Sequence, residues 1–213
     1  IYDRLVGSEM CIRDRAMSTS HCAQEIIEAV VDALSGACPD QTMSGWGRRL
    51  RIAIKGEDPR SGRDFIWHMF HARPGAGASS GGDGWHGSGE WHSAGGLKFG
   101  SVEVAEVRFP LFFRKHEYRP SSGGAGQFDG GNGVDLEFVV ETENACVANT
   151  AGDGTRHGAR GLMGGEDGAP HRYVIREPGR RAAALDSKRE GIPVAPGTVF
   201  EVHSGGGGGW GDP

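Results

Sequence analysis

Glycine enters this chain in a step. Six glycines precede Pro74, and the other 32 of the 38 lie from Gly75 onward in a sequence of 213 residues. Average usage is about 7%. No Gly-X-Y period accompanies the enrichment and prolines number only 10, which excludes a collagen-like chain. Valine, leucine, isoleucine and phenylalanine fall instead in short patterned runs. The sequence therefore describes a folded, loop-rich protein whose backbone turns at positive φ or approaches something closely at many points. Its length supports one large domain or two small ones with a real core.

Lys+Arg 23 against Asp+Glu 28 gives a net charge of −5 and a pI near 6.0. Both nucleic-acid and membrane surfaces call for a basic excess, so neither partner is expected. No apolar run approaches the ~20 residues of a membrane span, and no secretory signal is visible. Cys11, Cys22, Cys38 and Cys146 form no CxxC pair, which fits reduced thiols in a cytoplasmic protein. Residues 1–15, IYDRLVGSEMCIRDR, hold no sustained period. Met10-Cys11-Ile12-Arg13-Asp14 reads as a translated transposon end of the kind used in sequencing libraries. That segment is set aside as an artefact, leaving residues 16–213 as a fragment of a larger protein.

Ile26, Ile27, Val30, Val31 and Leu34 form one apolar stripe of a helix over about Cys22–Leu34, with Ser18–Ser20 as cap candidates and Gly36 as the stop. Leu50, Ile52 and Ile54 alternate with polar neighbours as a strand ended by Gly56. Asp64–Phe70 is apolar on both faces and reads as a central strand. Residues 72–100 are a glycine-rich loop whose tryptophans, Trp85 and Trp91, look buried. Loops this long are functional or disordered, and the tryptophans favour order. Val102–Val107 fits either a strand or a helical turn. Leu111–Tyr118 and Val134–Val140 are strands, a short run surrounds Cys146–Val147, and Tyr173–Ile175 and Val199–Val202 follow. The fold class is α+β, predominantly β: one N-terminal helix, then a glycine-rich, loop-rich β domain.

Familiar phosphate loops are missing. No Gly-Lys-Ser/Thr occurs, GGAGQFDGGNG misses the G-x-G-x-x-G spacing at Asp129, and no G-x-S-x-G elbow is present. His68 and His71, three apart, would face oppositely on a strand, and His86-x5-His92 lacks further ligands, so no metal is assigned. Glu103 and Glu106 share a face if their segment is a helical turn, where paired carboxylates hold a cation, an ammonium or a shared proton. On a strand they face apart and are solvated. Asp83-Gly84 is either a turn or a placed carboxylate.

Several ordered motifs together resemble the hydantoinase B/oxoprolinase family, which includes B-type subunits of acetone and acetophenone carboxylases. The glycine-rich loop closes at Asp83-Gly84, and Val102-Glu103…Glu106…Pro110 is similar to the family's P-V-E-x-x-E-x-x-x-P. Arg119-Pro120-Ser121-Ser122-Gly123-Gly124-Ala125-Gly126…Gly130-Gly131-Asn132-Gly133 resembles R-x-D-S-G-G-x-G-x-x-R-G-G-x-G. Gly161-Leu162-Met163-Gly164-Gly165…Gly168-Ala169-Pro170 and the terminal Trp210-Gly211-Asp212-Pro213 resemble the next blocks. Ser121 stands where the family has Asp, Gln127 and Asp129 where it has Arg, and Gly100 where it has Pro.

The resemblance implies the C-terminal region of the B-type subunit of an ATP-dependent cyclic-amide hydrolase, opening hydantoin or 5-oxoproline. It also leaves open a ketone carboxylase subunit or a non-catalytic platform for assembly. An A-type ATPase subunit would be the partner and would carry ATP and Mg, with none bound by this fragment alone. Asp83, Glu103 and Glu106 become the catalytic candidates. Ser122, Gly123, Gly124 and Gly126 become the backbone loop against the substrate, lining a channel or an oxyanion site.

Overall fold

The computed structural model describes residues 21–91 and 98–213. The artefact assignment for residues 1–15 lies outside them. Helix α1 (His21–Ser35) comes first, followed by a single 3₁₀ turn at Pro39–Gln41. Strands β1 (Leu50–Asp58) and β2 (Arg63–His68) form a hairpin. A second helix, α2 (Val102–Arg108), leads into β3 (Leu111–Tyr118), β4 (Val134–Val140), β5 (Cys146–Gly152) and β6 (Arg172–Arg176). Strands β7 (Ala183–Ala184), β8 (Arg189–Val194) and β9 (Val199–His203) complete the order.

Two antiparallel sheets result, ordered β2-β1-β5-β8 and β3-β4-β9-β6-β7. Alternation builds the core between them. Leu50, Ile52 and Ile54 of β1, Phe65 and Trp67 of β2 and Ile192 and Val194 of β8 join one buried cluster. Phe113, Leu136, Phe138, Phe200 and Val202 enter it from the other sheet. Trp67 reaches across to Phe138, with ring centroids 5.0 Å apart at 68°, an edge-on contact that aromatic quadrupoles favour.

Three expectations need correction. Strand β2 lies at a sheet edge, because only Phe65 and Trp67 are buried while Ile66 is 59% exposed. Strand β1 runs through Gly56 to Asp58; a Cβ at Gly56 would sit 2.5 Å from Cys146 Sγ, so the glycine makes room inside the strand instead of ending it. Helix α1 forms, but its apolar stripe is not the face it buries. Ile26, Val30 and Leu34 are exposed, whereas Gln24 and Glu28 are buried. The Gln24 amide donates to the carbonyls of Trp46 and Gly47, and Glu28 accepts from Trp46 N at 3.0 Å. Hydrogen bonds to backbone and ion pairs from Arg48 and Arg160 to Glu25, Glu28 and Asp32 hold this helix down, with only Ile27 and Val31 of the stripe half-buried.

The glycines explain themselves at the end of the sandwich. The segment 205–209 runs extended through the middle of four other loop segments and bonds to all of them. Gly75 N and Ala78 N donate to Gly205 O and Gly208 O; Gly206 N and Gly209 N donate to Ala169 O and Glu166 O. Two of these neighbours, 75–78 and 166–169, are each met again three residues later, the three-per-turn repeat of a polyproline-type helix that makes its hydrogen bonds only to neighbours. Such spacing leaves no room for side chains: a Cβ on Gly207 would sit 1.8 Å from Ala76 O. The glycine-rich loops are thus a second, backbone-built core beside the apolar one.

His171 fastens that bundle. Its Nδ1 accepts from Gly205 N at 2.6 Å, and its Nε2–H donates to Arg48 O. Full burial holds the imidazole neutral and lowers its pKa to about 4.

Candidate functional site

Asp83 sits where the loop bundle meets an open cleft. Its Oδ1 accepts from Asp129 N at 2.9 Å, and Gly84 N donates to Asp129 O at 2.8 Å. The 122–133 loop therefore positions this carboxylate. Among the described residues Oδ2 has no hydrogen-bond partner.

The cleft, about 470 Å3, is lined by Met43, Trp46, Ser79, Asp83, Trp85 and Trp91 over a floor of small residues that includes Ala76 and Gly77. Trp46 and Trp91 stack, with centroids 5.9 Å apart and planes 6° from parallel. Trp46 is only 6% exposed and is held by α1 through Gln24 and Glu28. Trp85 is 70% exposed, which corrects the expectation that the loop tryptophans are buried. Its backbone serves the bundle through Ala76 N→Trp85 O, and its indole stands in solvent at the rim. Among the described residues Asp83 is the only ionisable side chain in the lining.

Glu103 and Glu106 lie elsewhere, on α2. Ser101 caps this helix by accepting from Val104 N, which settles the segment as helical. Glu103 is fully exposed; its own amide and the Ser101 hydroxyl hold its carboxylate below the usual range. Glu106 Oε1 accepts from Phe113 N at 2.8 Å, anchoring the start of β3. Ala105 is buried and Val102 packs on the core, and the two glutamates share the adjoining face, about 100° further round the helix. Separate anchors hold them, and no hydrogen bond or ion pair joins them to Asp83 among the described residues.

The amides of the backbone loop are committed internally. Ser122 N and Gly123 N both donate to Asn132 Oδ1, Gly124 N to Gly207 O and Gly126 N to Asp129 Oδ1. The Ser122 hydroxyl donates to Arg119 O and accepts from Gly133 N. None of these groups is left for an oxyanion. Their role in this geometry is to build the turn that carries Asp129 to Asp83.

Glu90, not singled out from the sequence, is fully buried among arginines. Arg51 Nη2 lies 3.1 Å from its Oε1 and Arg73 Nη1 3.4 Å from its Oε2. Arg51 and Arg73 also lie over the Phe70 ring, at 5.2 and 5.9 Å. The signal was present as Arg51 on the non-core face of β1 with Arg49 just before the strand, but a carboxylate about 40 residues away gives no local pattern. The described residues contain no group of three or more His, Cys, Asp or Glu placed to hold a metal ion. No helix among them is long and apolar enough to cross a membrane.

Residues 11–213 match the family model for hydantoinase B/oxoprolinase. The chain is 32% identical over 202 residues to caprolactamase subunit beta from Pseudomonas jessenii, covering 89% of this chain and 33% of that protein. It is also 32% identical over 141 residues to 5-oxoprolinase from Saccharomyces cerevisiae, covering 63% of this chain and 11% of that protein. The solved structure of the ATP-dependent caprolactamase from Pseudomonas jessenii superposes with a TM-score of 0.69 at 26% identity, over 85% of this chain and 32% of that one. Nucleotide-free acetone carboxylase superposes at 0.67 with 19% identity, over 84% of this chain and 28% of that one. The chain spans about a third of the caprolactamase subunit it matches.

Proposed function

Because this chain belongs to the hydantoinase B/oxoprolinase family, we propose that it is a portion of the B-type subunit of an ATP-dependent cyclic-amide hydrolase. The observation that carries this reading is the 32% identity to a caprolactamase beta subunit, sustained over 89% of the chain. The likeness to acetone carboxylase, at 19% identity, speaks for the fold alone. A lactam or hydantoin carbonyl is a poor electrophile, and phosphoryl transfer to the amide oxygen makes it a good one before water attacks. ATP and Mg belong with an A-type partner in this scheme, as the family resemblance implies. The B-type subunit takes the activated ring and completes its opening.

Within that subunit the chain's own residues divide the work. The glycine bundle and the two sheets form a rigid platform, and the 122–133 loop and α1 hold Asp83 and Trp46 at one cleft. The test is to co-express the whole reading frame with an A-type ATPase subunit of the family and follow ADP release against caprolactam, 5-oxoproline, hydantoin, and acetone with bicarbonate. ADP release with a cyclic amide supports the proposal. Release only with the ketone and bicarbonate overturns it.

A further inference from the structure

From the outward side of α1 we infer an intramolecular docking surface. The row Ile26, Val30 and Leu34 seats an apolar face of the same polypeptide, supplied by the part of the subunit that precedes α1. The inference rests on the chain being a portion of a longer B-type subunit, and not on which ring that subunit opens.

The helix is mounted inside out. Its charged side is turned to the body of the protein, where Glu25 and Glu28 pair with Arg48, and Asp32 pairs with Arg160. The Gln24 amide and Glu28 are tied to the backbone of Trp46 and Gly47 on that same side. These contacts fix the rotation of the helix, and rolling it over to bury its apolar residues would break them. At about 100° per residue, Ala23, Ile26, Ala29, Val30, Ala33 and Leu34 then share an arc of about 140° on the other side. No charged residue of α1 falls in that arc. Ile26, Val30 and Leu34 are 63%, 54% and 49% exposed, and Ala29 and Ala33 are exposed beside them. Isolated exposed apolar side chains are ordinary. A continuous uncharged row along the length of a helix, held outward by polar contacts, is a surface made to be covered. Spacing of i, i+4 and i+8 makes it a ridge that a facing helix receives in its groove, and the alanines permit close approach.

The size of the row decides what covers it. Over the 15 residues of α1 it is about 22 Å long and about 10 Å wide, roughly 200–400 Å2 of accessible surface. Stable complexes between separate chains bury about 800 Å2 on each partner, so the row alone does not hold a second copy of this chain. A segment of the same polypeptide needs far less area, because its tether holds it at an effective concentration in the millimolar range. The lack of charge also suits a permanent contact better than a partner that comes and goes. Enough chain exists to supply the segment. These residues span about a third of the caprolactamase subunit they match, and their motifs resemble the C-terminal region of the family, which puts the rest of such a subunit ahead of α1.

Val30→Cys tests this in two proteins, the 213-residue chain and the whole subunit with no A-type partner present. The rate of alkylation by N-ethylmaleimide, followed peptide by peptide by mass spectrometry, reports whether residue 30 is covered. It should react freely in the chain and about tenfold or more slowly in the whole subunit. Val30→Glu should leave the melting temperature of the chain within about two degrees, as a surface change does, and lower that of the whole subunit by about five degrees or more by burying a charge. Equal alkylation rates in the two proteins overturn the inference. So does slow alkylation in the chain itself, which would mean that a second copy covers the row, and so does slowing that begins only when an A-type subunit is added. Should the glutamate variant fail to fold in the whole subunit, the alkylation rates decide alone, since Val30→Cys adds neither bulk nor charge. No arm measures turnover, so failure here leaves the cyclic-amide reading standing, and failure of that reading leaves this surface in place.

Discussion

Substituting Gly207 by alanine is the sharpest probe of the backbone-built core. The new Cβ would lie 1.8 Å from Ala76 O and 2.2 Å from Ala76 C. An ordinary C···O approach is about 3.3 Å, so the strands must part by about 1.5 Å. Neither side can yield cheaply. Ala76 O accepts from Gly131 N at 2.8 Å, Gly207 N donates to Gly131 O at 2.9 Å, and Gly207 O accepts from Gly124 N at 2.9 Å. Breaking two of these strands buried amide or carbonyl groups at about 1–3 kcal/mol each, or on the order of 2–6 kcal/mol together. That is a large share of a typical total of about 5–15 kcal/mol. Gly36→Ala serves as the control, since a Cβ there meets nothing within 4 Å, and it should stay within about 1 kcal/mol of the parent. Urea denaturation of the three proteins measures both values. A Gly207→Ala protein within about 1 kcal/mol of the parent would refute the idea that the bundle is held by close backbone contact.

Other consequences follow from single residues. His171 is neutral when folded, with its pKa near 4 against 6.5 in the unfolded chain. Its contribution is complete above pH 6.5 and is lost as pH falls from 6.5 to about 4, about 3 kcal/mol in all. Stability-versus-pH curves for the parent and His171→Asn should diverge in slope only within that window; parallel curves would contradict the burial argument. Glu106→Ala should cost about 1–3 kcal/mol by stranding Phe113 N, whereas Glu106→Gln, which keeps an acceptor, should hold both melting temperature and kcat of the assembled enzyme near the parent. A roughly tenfold fall in kcat for Glu106→Gln at unchanged stability would return that carboxylate to the chemistry. Ser121 adopts φ 54°, a left-handed conformation that asparagine accepts more readily, so Ser121→Asn should stabilise by up to about 1 kcal/mol in chemical denaturation.

The sequence disclosed what local periodicity can encode. Alternation at Leu50–Ile54 and Val134–Val140 marked two strands that do face the core, and the Glu103–Glu106 spacing matched a helix once Ser101 was seen to cap it. Three further features turned on long-range contacts. Ile66 reads as buried from its apolar neighbours, yet β2 has a partner on only one side. Ile26, Val30 and Leu34 read as the buried stripe of α1, but the carbonyls of Trp46 and Gly47 recruit Gln24 to the interior instead. The glycine clusters announced close approach without saying to what, because bonds such as Gly206 N→Ala169 O join segments with no shared pattern. Asp83 was legible as a placed carboxylate or a turn; only the Asp129 amide 46 residues later makes it the first of these. Strand β8 leaves no such trace, since Pro193 and Gly191 interrupt its pattern while Ile192 and Val194 still reach the core.

The most direct test of the functional reading is a stoichiometry. On the proposed reading, the whole protein assembled with an A-type ATPase subunit and supplied with MgATP and a lactam should form one ADP for each ring opened, with the free amine and ADP rising together and neither rising when ATP or the ring is omitted. ADP formation that tracks acetone and bicarbonate while the lactam stays intact would contradict the account.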